Sequence, residues 1–357
     1  MARRHPAATS AKRRAAPPNP SPPPPPADGS IPLLHAASRG DLRLFKRLVR
    51  DLDKGRGRPR EVVEAAKDQG LVALHFAAGK GRLWVCRYLV EELGVDVDAV
   101  NDGGRTPLLV ALIHGSMNAA SYLLDHGADP GKADYKGFAP LHHAAKAGDR
   151  KMTELLLAKG VSVDPVSSEG TPLYAAALEG HDEILQILLE NNTDCNKKVP
   201  GIDTLLLVAI SAPSLKCVKL LVEAGADVDD GILAPLVIAA EMKGSTACLK
   251  LLLEAGADPN VPDPFGRFPI ELAALSGTRE GVEILFPVTS CVPTVHDWSV
   301  DGIIRHARVA MKHGAHSNVR TIEQFKLLGV ESLKRNDYFI AATLYSAVCY
   351  YTLFLNV

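Results

Sequence analysis

The sequence predicts an all-α solenoid of about eight helix-turn-helix repeats joined by hairpin loops, with a short helical pair near the C-terminal end. Three observations predict it. A Pro-Leu signature returns about every 33 residues. Each copy pairs an Ala-rich with a Leu-rich stretch across a glycine. Aromatic residues are only 5% of a chain that is 46% hydrophobic, so small and aliphatic side chains must build the core repeat by repeat.

The first thirty residues stand apart. Nine prolines, including Pro22 to Pro26, and Arg3, Arg4, Lys12, Arg13 and Arg14 against Asp28 favour a solvated, polyproline-like tail. Lys12-Arg13-Arg14 is a weak nuclear-import cluster, the proline run an SH3- or WW-type ligand, and the acid-poor composition a transit peptide, as competing readings. A secretory signal is not expected, since no apolar stretch follows the basic residues.

From Ile31 the signature takes over. Thr106-Pro107-Leu108, Ala139-Pro140-Leu141-His142, Thr171-Pro172-Leu173 and Ala234-Pro235-Leu236 share one register. Weaker copies contain Leu34, Leu74, Leu206 and Ile270, which gives aligned spacings of 40, 34, 33, 32, 33, 30 and 34. A polar cap with Pro at the first helical position starts a helix, and Ala pairs such as Ala144-Ala145 let neighbouring helices approach. A glycine (Gly115, Gly148, Gly180) turns the chain into a Leu-rich second helix, which Gly127, Gly225 or Gly256 terminates ahead of Ala-Asp. The period, the Thr-Pro-Leu-His core and the Gly-Ala-Asp terminator together resemble the ankyrin repeat family over roughly Ile31 to Phe286, with the repeats bounded at 31–287. Departures are Gly55 to Arg60, expected to be a mobile basic loop; Pro213 and the Val199–Asp203 hairpin in the sixth repeat; and Glu271, which replaces histidine in a C-terminal cap.

Residues 288–320 read as a linker, within which Ser299 to Gly314 form an amphipathic helix placing Val300, Ile303, Ile304, Ala307, Ala310 and Met311 on one face. Over 321–357, Gly329, Asp337, Tyr338, Ala341, Ala342, Tyr345 and Ala347 are similar to one partial tetratricopeptide (TPR) repeat. That resemblance implies Hsp70/Hsp90 tail binding, although Lys326 matches one clamp position while Val330 stands where asparagine belongs. Phe339 to Val357 lack charge for 19 residues, long enough for a tail anchor, but their hydroxyls and Asn356 make membrane insertion the lesser reading.

Catalytic signatures are absent, and neither a cofactor nor a metal is expected. His306, His313 and His316 make the best metal candidate and read as surface histidines. The ankyrin resemblance implies that His35, His75 and His142 tie adjacent loops. Cys217 and Cys248 replace apolar residues and are expected in the core. Six scattered cysteines argue against a disulfide scaffold and for a reducing compartment. A cytoplasmic location, or a nuclear one, follows. Forty basic against 41 acidic residues exclude a global pull toward nucleic acid, and the basic clusters are read as confined to the tail and one loop.

Binding is therefore expected of a non-enzymatic adaptor recognising a protein. In the ankyrin architecture the first helices and hairpin tips line a concave face. Its contact residues would be Ile113, His114, Lys146, Leu178, Met242 and Leu275 before the inter-helix glycines. Tyr135, Phe138, Ile202, Ile232, Phe265 and Arg267 would serve at the hairpin tips.

Overall fold

A computed structural model of the 357-residue chain describes residues 30–199, 204–212, 214–230, 233–243, 245–263, 266–312 and 317–335, with Tyr345 and Val348. The proline-rich tail, Ile202, Ile232, Phe265, Pro213, His313, His316 and nearly all of the uncharged C-terminal stretch lie outside the described residues.

Eight helix pairs follow the repeats. They are α1 (Ser30–Arg39) with α2 (Leu42–Asp53), and, after α3 (Pro59–Ala65), α4 (Ala73–Gly79) with α5 (Leu83–Arg87), which runs on as a π turn over Tyr88–Glu92. Next come α6 (Pro107–Ile113) with α7 (Met117–Asp125), α8 (Pro140–Lys146) with α9 (Arg150–Ala158), and α10 (Pro172–Leu178) with α11 (Asp182–Glu190). The last three are α12 (Leu205–Ser211) with α13 (Leu215–Glu223), α14 (Pro235–Glu241) with α15 (Thr246–Glu254), and α16 (Pro269–Leu275) with α17 (Arg279–Leu285). Beyond them lie α18 (Val300–Lys312) and α19 (Ser317–Lys334). The described residues contain helices and no strand.

Each first helix packs on the next first helix and each second helix largely on the next second helix, so the array has two layers with the core between them. The aligned signature residue is buried in every copy: Leu34, Leu74, Leu108, Leu141, Leu173, Leu206, Leu236 and Ile270. Ala144, Ala145, Ala176, Ala177, Ala239, Ala240, Ala273 and Ala274 are buried too, because the close helix approach leaves room only for a methyl group. Thr106 and Thr171 accept the backbone N–H of Leu109 (3.2 Å) and Tyr174 (3.3 Å), capping their helices as expected. Gly127 and Gly256 stop α7 and α15 at φ of +90° and +94°, where an L side chain would clash with its own backbone.

Side chains at the foot of the second helices stitch neighbouring repeats. Asp98 accepts the N–H of Asp129 (3.1 Å), Asp164 that of Asp194 (3.1 Å), Asn196 that of Asp227 (2.9 Å), Asp229 that of Asp258 (3.1 Å) and Asn260 that of Ser290 (2.7 Å). The third repeat carries Gly131 at this position and so lacks a side chain to accept the next rung. Gly131 has no positive φ, and a Cβ there would meet nothing nearer than Asp129 Oδ1 at 3.5 Å. Gly131→Asn is expected to add the rung and raise stability by about 1 kcal/mol. The midpoint of urea unfolding checks this, and an unchanged or lowered midpoint would contradict it.

Two expectations about the first repeat are corrected. The Gly55–Arg60 insertion is ordered: Asp53 accepts the N–H of Gly57 and of Arg58 (both 2.8 Å), and α3 buries Val63. His35 does not tie loops but is exposed, since α1 already begins at Ser30 and the residue three before His35 is Pro32, which has no N–H to donate. In the eighth repeat Glu271 accepts the N–H of Phe268 (2.9 Å). It thereby takes the place that histidine fills elsewhere. The array does not end there: α18 packs on α16 and α17, burying Ile303 and Ala307 along the face the amphipathic pattern predicts. Cys217 and Cys248 are buried, as their positions suggest.

Candidate functional site: the first-helix ends and hairpin tips

The hairpin tips are built by Asx turns. Asn101 Oδ1 accepts from Gly103 (3.0 Å) and Arg105 (2.9 Å), and Asp134 Oδ1 from Lys136 (2.9 Å) and Phe138 (3.0 Å). Consecutive tips are then joined. Arg105 Nε donates to Asp134 Oδ2 (3.4 Å), and the Tyr135 N–H donates to the Gly103 carbonyl (3.1 Å). The Tyr135 ring also lies so close to Gly104 that a Cβ there would come within 2.5 Å of it.

Behind the tips, two histidines lock each loop to the next. His75 Nδ1 accepts from Val72 N–H (3.2 Å) while its Nε2 meets the Arg105 carbonyl (2.9 Å). His142 repeats this with Ala139 N–H (3.0 Å) and the Gly170 carbonyl (3.1 Å). One nitrogen accepts and the other donates, so both rings must be neutral. Burial holds both pKa values below the usual imidazole range, and it lowers that of His143 to about 4. His143 Nε2 is buried without a hydrogen-bond partner among the described residues, beneath the Phe138 ring (centroids 5.7 Å apart).

The expected contact residues separate into three groups. Ile113 (39%), Leu178 (41%), His114 and Lys146 are exposed where the first helices end, and Tyr135 (75%) is exposed at a hairpin tip. His114 also binds its own helix, through Nδ1 and the Val110 carbonyl (2.9 Å), and the Lys146 carbonyl meets His181 Nε2 (3.1 Å). Four others are not free contact groups. Phe138 is half-buried against His142 and His143, and Arg267 is half-buried with its guanidinium on the buried Asp263 carboxylate (Nε to Oδ2 2.7 Å). Met242 and Leu275 are half-buried against the core. Met242 lies one residue beyond the helical position of Leu178, where α14 has already given way to extended backbone (ψ 123°). The remaining three, Ile202, Ile232 and Phe265, lie outside the described residues.

Among the described residues, nothing in this arrangement assembles a nucleophile. Burial pushes the Cys86 thiol up to about 12 and Cys248 to about 11, which keeps both protonated at neutral pH. No three metal-ligating side chains gather among the described residues. Likewise, no described helix is long and apolar enough to cross a membrane. Sequence reasoning passed over Trp84, which is 70% exposed at the start of α5. Its signal was a tryptophan beside arginines on the polar side of a second helix.

Stacked helix pairs with loops cross-linked by buried histidines define a repeat scaffold that presents a surface for other proteins. A family model for ankyrin repeats in three copies matches in overlapping windows at residues 33–134, 93–167, 127–199, 174–263 and 206–296. The chain belongs to the ankyrin repeat family. Its match ends at residue 296 and so stops short of the TPR-like segment. Among solved structures, the human ASB11 ankyrin repeat domain matches with a TM-score of 0.53 and 31% identity, over 61% of this chain and 98% of that one. The Neurospora crassa ankyrin repeat protein nuc-2 is 33% identical over 62% of this chain, and the zebrafish putative palmitoyltransferase ZDHHC13 is 32% identical over 48%. The chain spans only 22% and 28% of those two relatives' lengths. An ankyrin array is a protein–protein interaction module, and that much holds for this chain.

Proposed function

We propose that the chain is a non-enzymatic adaptor that holds a partner protein on its concave ankyrin face. The observation that carries this reading is the exposure of Ile113, Leu178 and Tyr135 on successive repeats, apolar or aromatic groups that the fold leaves in water. Interfaces draw their energy from such anchors, and aromatic residues are enriched among them. The match to the zebrafish putative palmitoyltransferase covers 28% of that protein, so the adaptor reading takes nothing from its activity.

The test is a pull-down with the full chain and with the variant Ile113→Ser, Tyr135→Ser, Leu178→Ser. Proteins retained by the wild type are expected to be lost from the variant, with affinity down on the order of a hundred-fold and the melting temperature unchanged. An identical retained set would overturn the reading.

The alternative places function in the C-terminal TPR-like segment, as a co-chaperone-like factor binding Hsp70/Hsp90 tails. Gly329 supports the helix pairing: a Cβ there would come within 3.1 Å of the Tyr345 ring, as close packing of two TPR helices requires. Lys326 is exposed on α19, while Val330 offers an acidic tail no amide. Retention of an acidic C-terminal peptide, lost on Lys326→Ala, would favour this alternative.

A further inference from the structure

The basic residues of this chain are not confined to the tail and one loop. Between Ser30 and Arg87 there are 13 Lys and Arg against six Asp and Glu. Residues 88–357 carry 22 against 34. The net charge of −1 therefore conceals a molecule with a basic first pair of repeats and an acidic remainder.

The fold gathers much of that positive charge on one surface. Arg43, Arg47 and Arg50 recur at helical spacing along α2, Lys54 follows at its end, and all four are exposed. Helix α5 and its π turn lie alongside. Phe45 meets Tyr88 edge to face (6.1 Å), Lys46 sits over the Tyr88 ring (4.2 Å) and pairs with Glu92 (3.1 Å), and Arg82 Nε reaches the Ser38 carbonyl (3.0 Å). On this outer layer Trp84 is 70% exposed with the Arg87 guanidinium 5.3 Å from its ring centroid.

The nearby carboxylates are largely engaged. Glu92 holds Lys46, Glu91 accepts from Tyr122 (3.0 Å), and Asp53 caps the insertion loop. Asp51 is the remaining one on these helices, and among the described residues no carboxylate pairs with Arg43, Arg47 or Arg87. Arginines without a carboxylate partner around a solvated indole have no evident role in the fold.

We infer that this outer face of the first two repeats is a docking surface for an anionic phospholipid bilayer. Charge complementarity selects an anionic partner, since each cation near such a surface adds attraction to acidic headgroups. The scarcity of exposed rings selects a bilayer over nucleic acid. Tyr88 is half-buried beneath Lys46, which leaves Trp84 as the exposed aromatic among the described residues of this face, too little to track a strand, whereas a tryptophan rimmed by arginines suits the headgroup level. The surface is carried by second helices of the first two repeats, whereas Ile113, Tyr135 and Leu178 belong to the third to fifth repeats, so the two proposals rest on different residues.

The full chain is to be sedimented with phosphatidylcholine vesicles with and without phosphatidylserine. Binding is expected only to the phosphatidylserine vesicles, falling as salt rises, with a blue shift in tryptophan emission that Trp84→Phe removes. The variant Arg43→Gln, Arg47→Gln, Arg87→Gln, which breaks no ion pair present in the structure, should partition on the order of a hundred-fold less at an unchanged melting temperature. Equal sedimentation with neutral vesicles, or a variant binding as well as wild type, would overturn the inference. So would retention of a single-stranded oligonucleotide with no lipid binding, which would assign the face to nucleic acid. None of these outcomes depends on Ile113, Tyr135 or Leu178, so failure here leaves the adaptor reading standing.

Discussion

His142→Leu is expected to lower the unfolding free energy by about 2–4 kcal/mol. The imidazole is almost fully buried and bonds in two directions, to Ala139 N–H within its own repeat and to the Gly170 carbonyl in the next. Leucine fills a similar volume but accepts nothing. The buried Ala139 N–H then loses its acceptor at a cost of about 1–3 kcal/mol, and the bond between repeats is lost as well. The Gly170 carbonyl is not orphaned, because Ser167 N–H (2.9 Å) and Ser167 Oγ (2.9 Å) still donate to it, and this bounds the effect. In a solenoid the damage falls on neighbouring repeats. Amide exchange should therefore rise first in α8 and α10. His142→Gln, whose carbonyl oxygen still accepts from Ala139, should recover part of the loss. A leucine variant with wild-type urea midpoint would show that the hydrogen bonds contribute little.

The second large effect is loss of stability in mild acid. Burial lowers the pKa of His75 and His142 from the ordinary 6.5, and that of His143 to about 4. A base whose folded pKa is depressed binds more protons when unfolded. Its stabilisation is whole above 6.5 and falls away as pH drops from there toward the folded value. For His143 that window runs from 6.5 to about 4 and corresponds to roughly 3 kcal/mol. Urea midpoints measured across the window should fall steadily. His143→Leu should flatten part of the slope and raise stability near neutral pH, since Nε2 is buried with no partner among the described residues. Midpoints independent of pH between neutrality and 5 would rule the account out.

Most of the array was legible because each repeat restates one short pattern. The register that aligns Leu74 with Leu141 and Ile270 needs only the spacing of apolar residues, and burial of all three follows from it. The roles of His75 and His142 came through the family resemblance. Glu271 escaped, since nothing in a sequence says that a carboxylate can accept the same N–H from Phe268. His35 misled for the opposite reason: the residue type matched, but Pro32 removed the donor it would serve. The insertion at Gly55 looked mobile by composition, yet Asp53 satisfies two of its backbone N–H groups and anchors the loop.

The candidate site was less legible. Ile113, Leu178, Met242 and Leu275 each stand two before the inter-helix glycine, although Met242 lies one residue further from its buried signature leucine, and only the first two emerge exposed. Exposure at that place depends on how the helix ends and on what packs beside it. Helix α14 ends in extended backbone at Met242, and α18 lies against α16 at the far end of the array. The face formed by Trp84 and Arg87 with Arg43 and Arg47 was hidden in another way, since forty residues separate its two halves along the chain.

By itself the sequence determined the repeat count, the helix pairs, their glycine terminators and the buried Leu and Ala positions. Each of these depends on local spacing within about one repeat, where helical periodicity and left-handed glycines leave little choice. Only the tertiary structure decided which polar groups bond across repeats, which apolar groups stay in water and where charge collects. Those outcomes depend on residues about thirty positions apart being brought within a few ångströms, and no local pattern specifies such a distance.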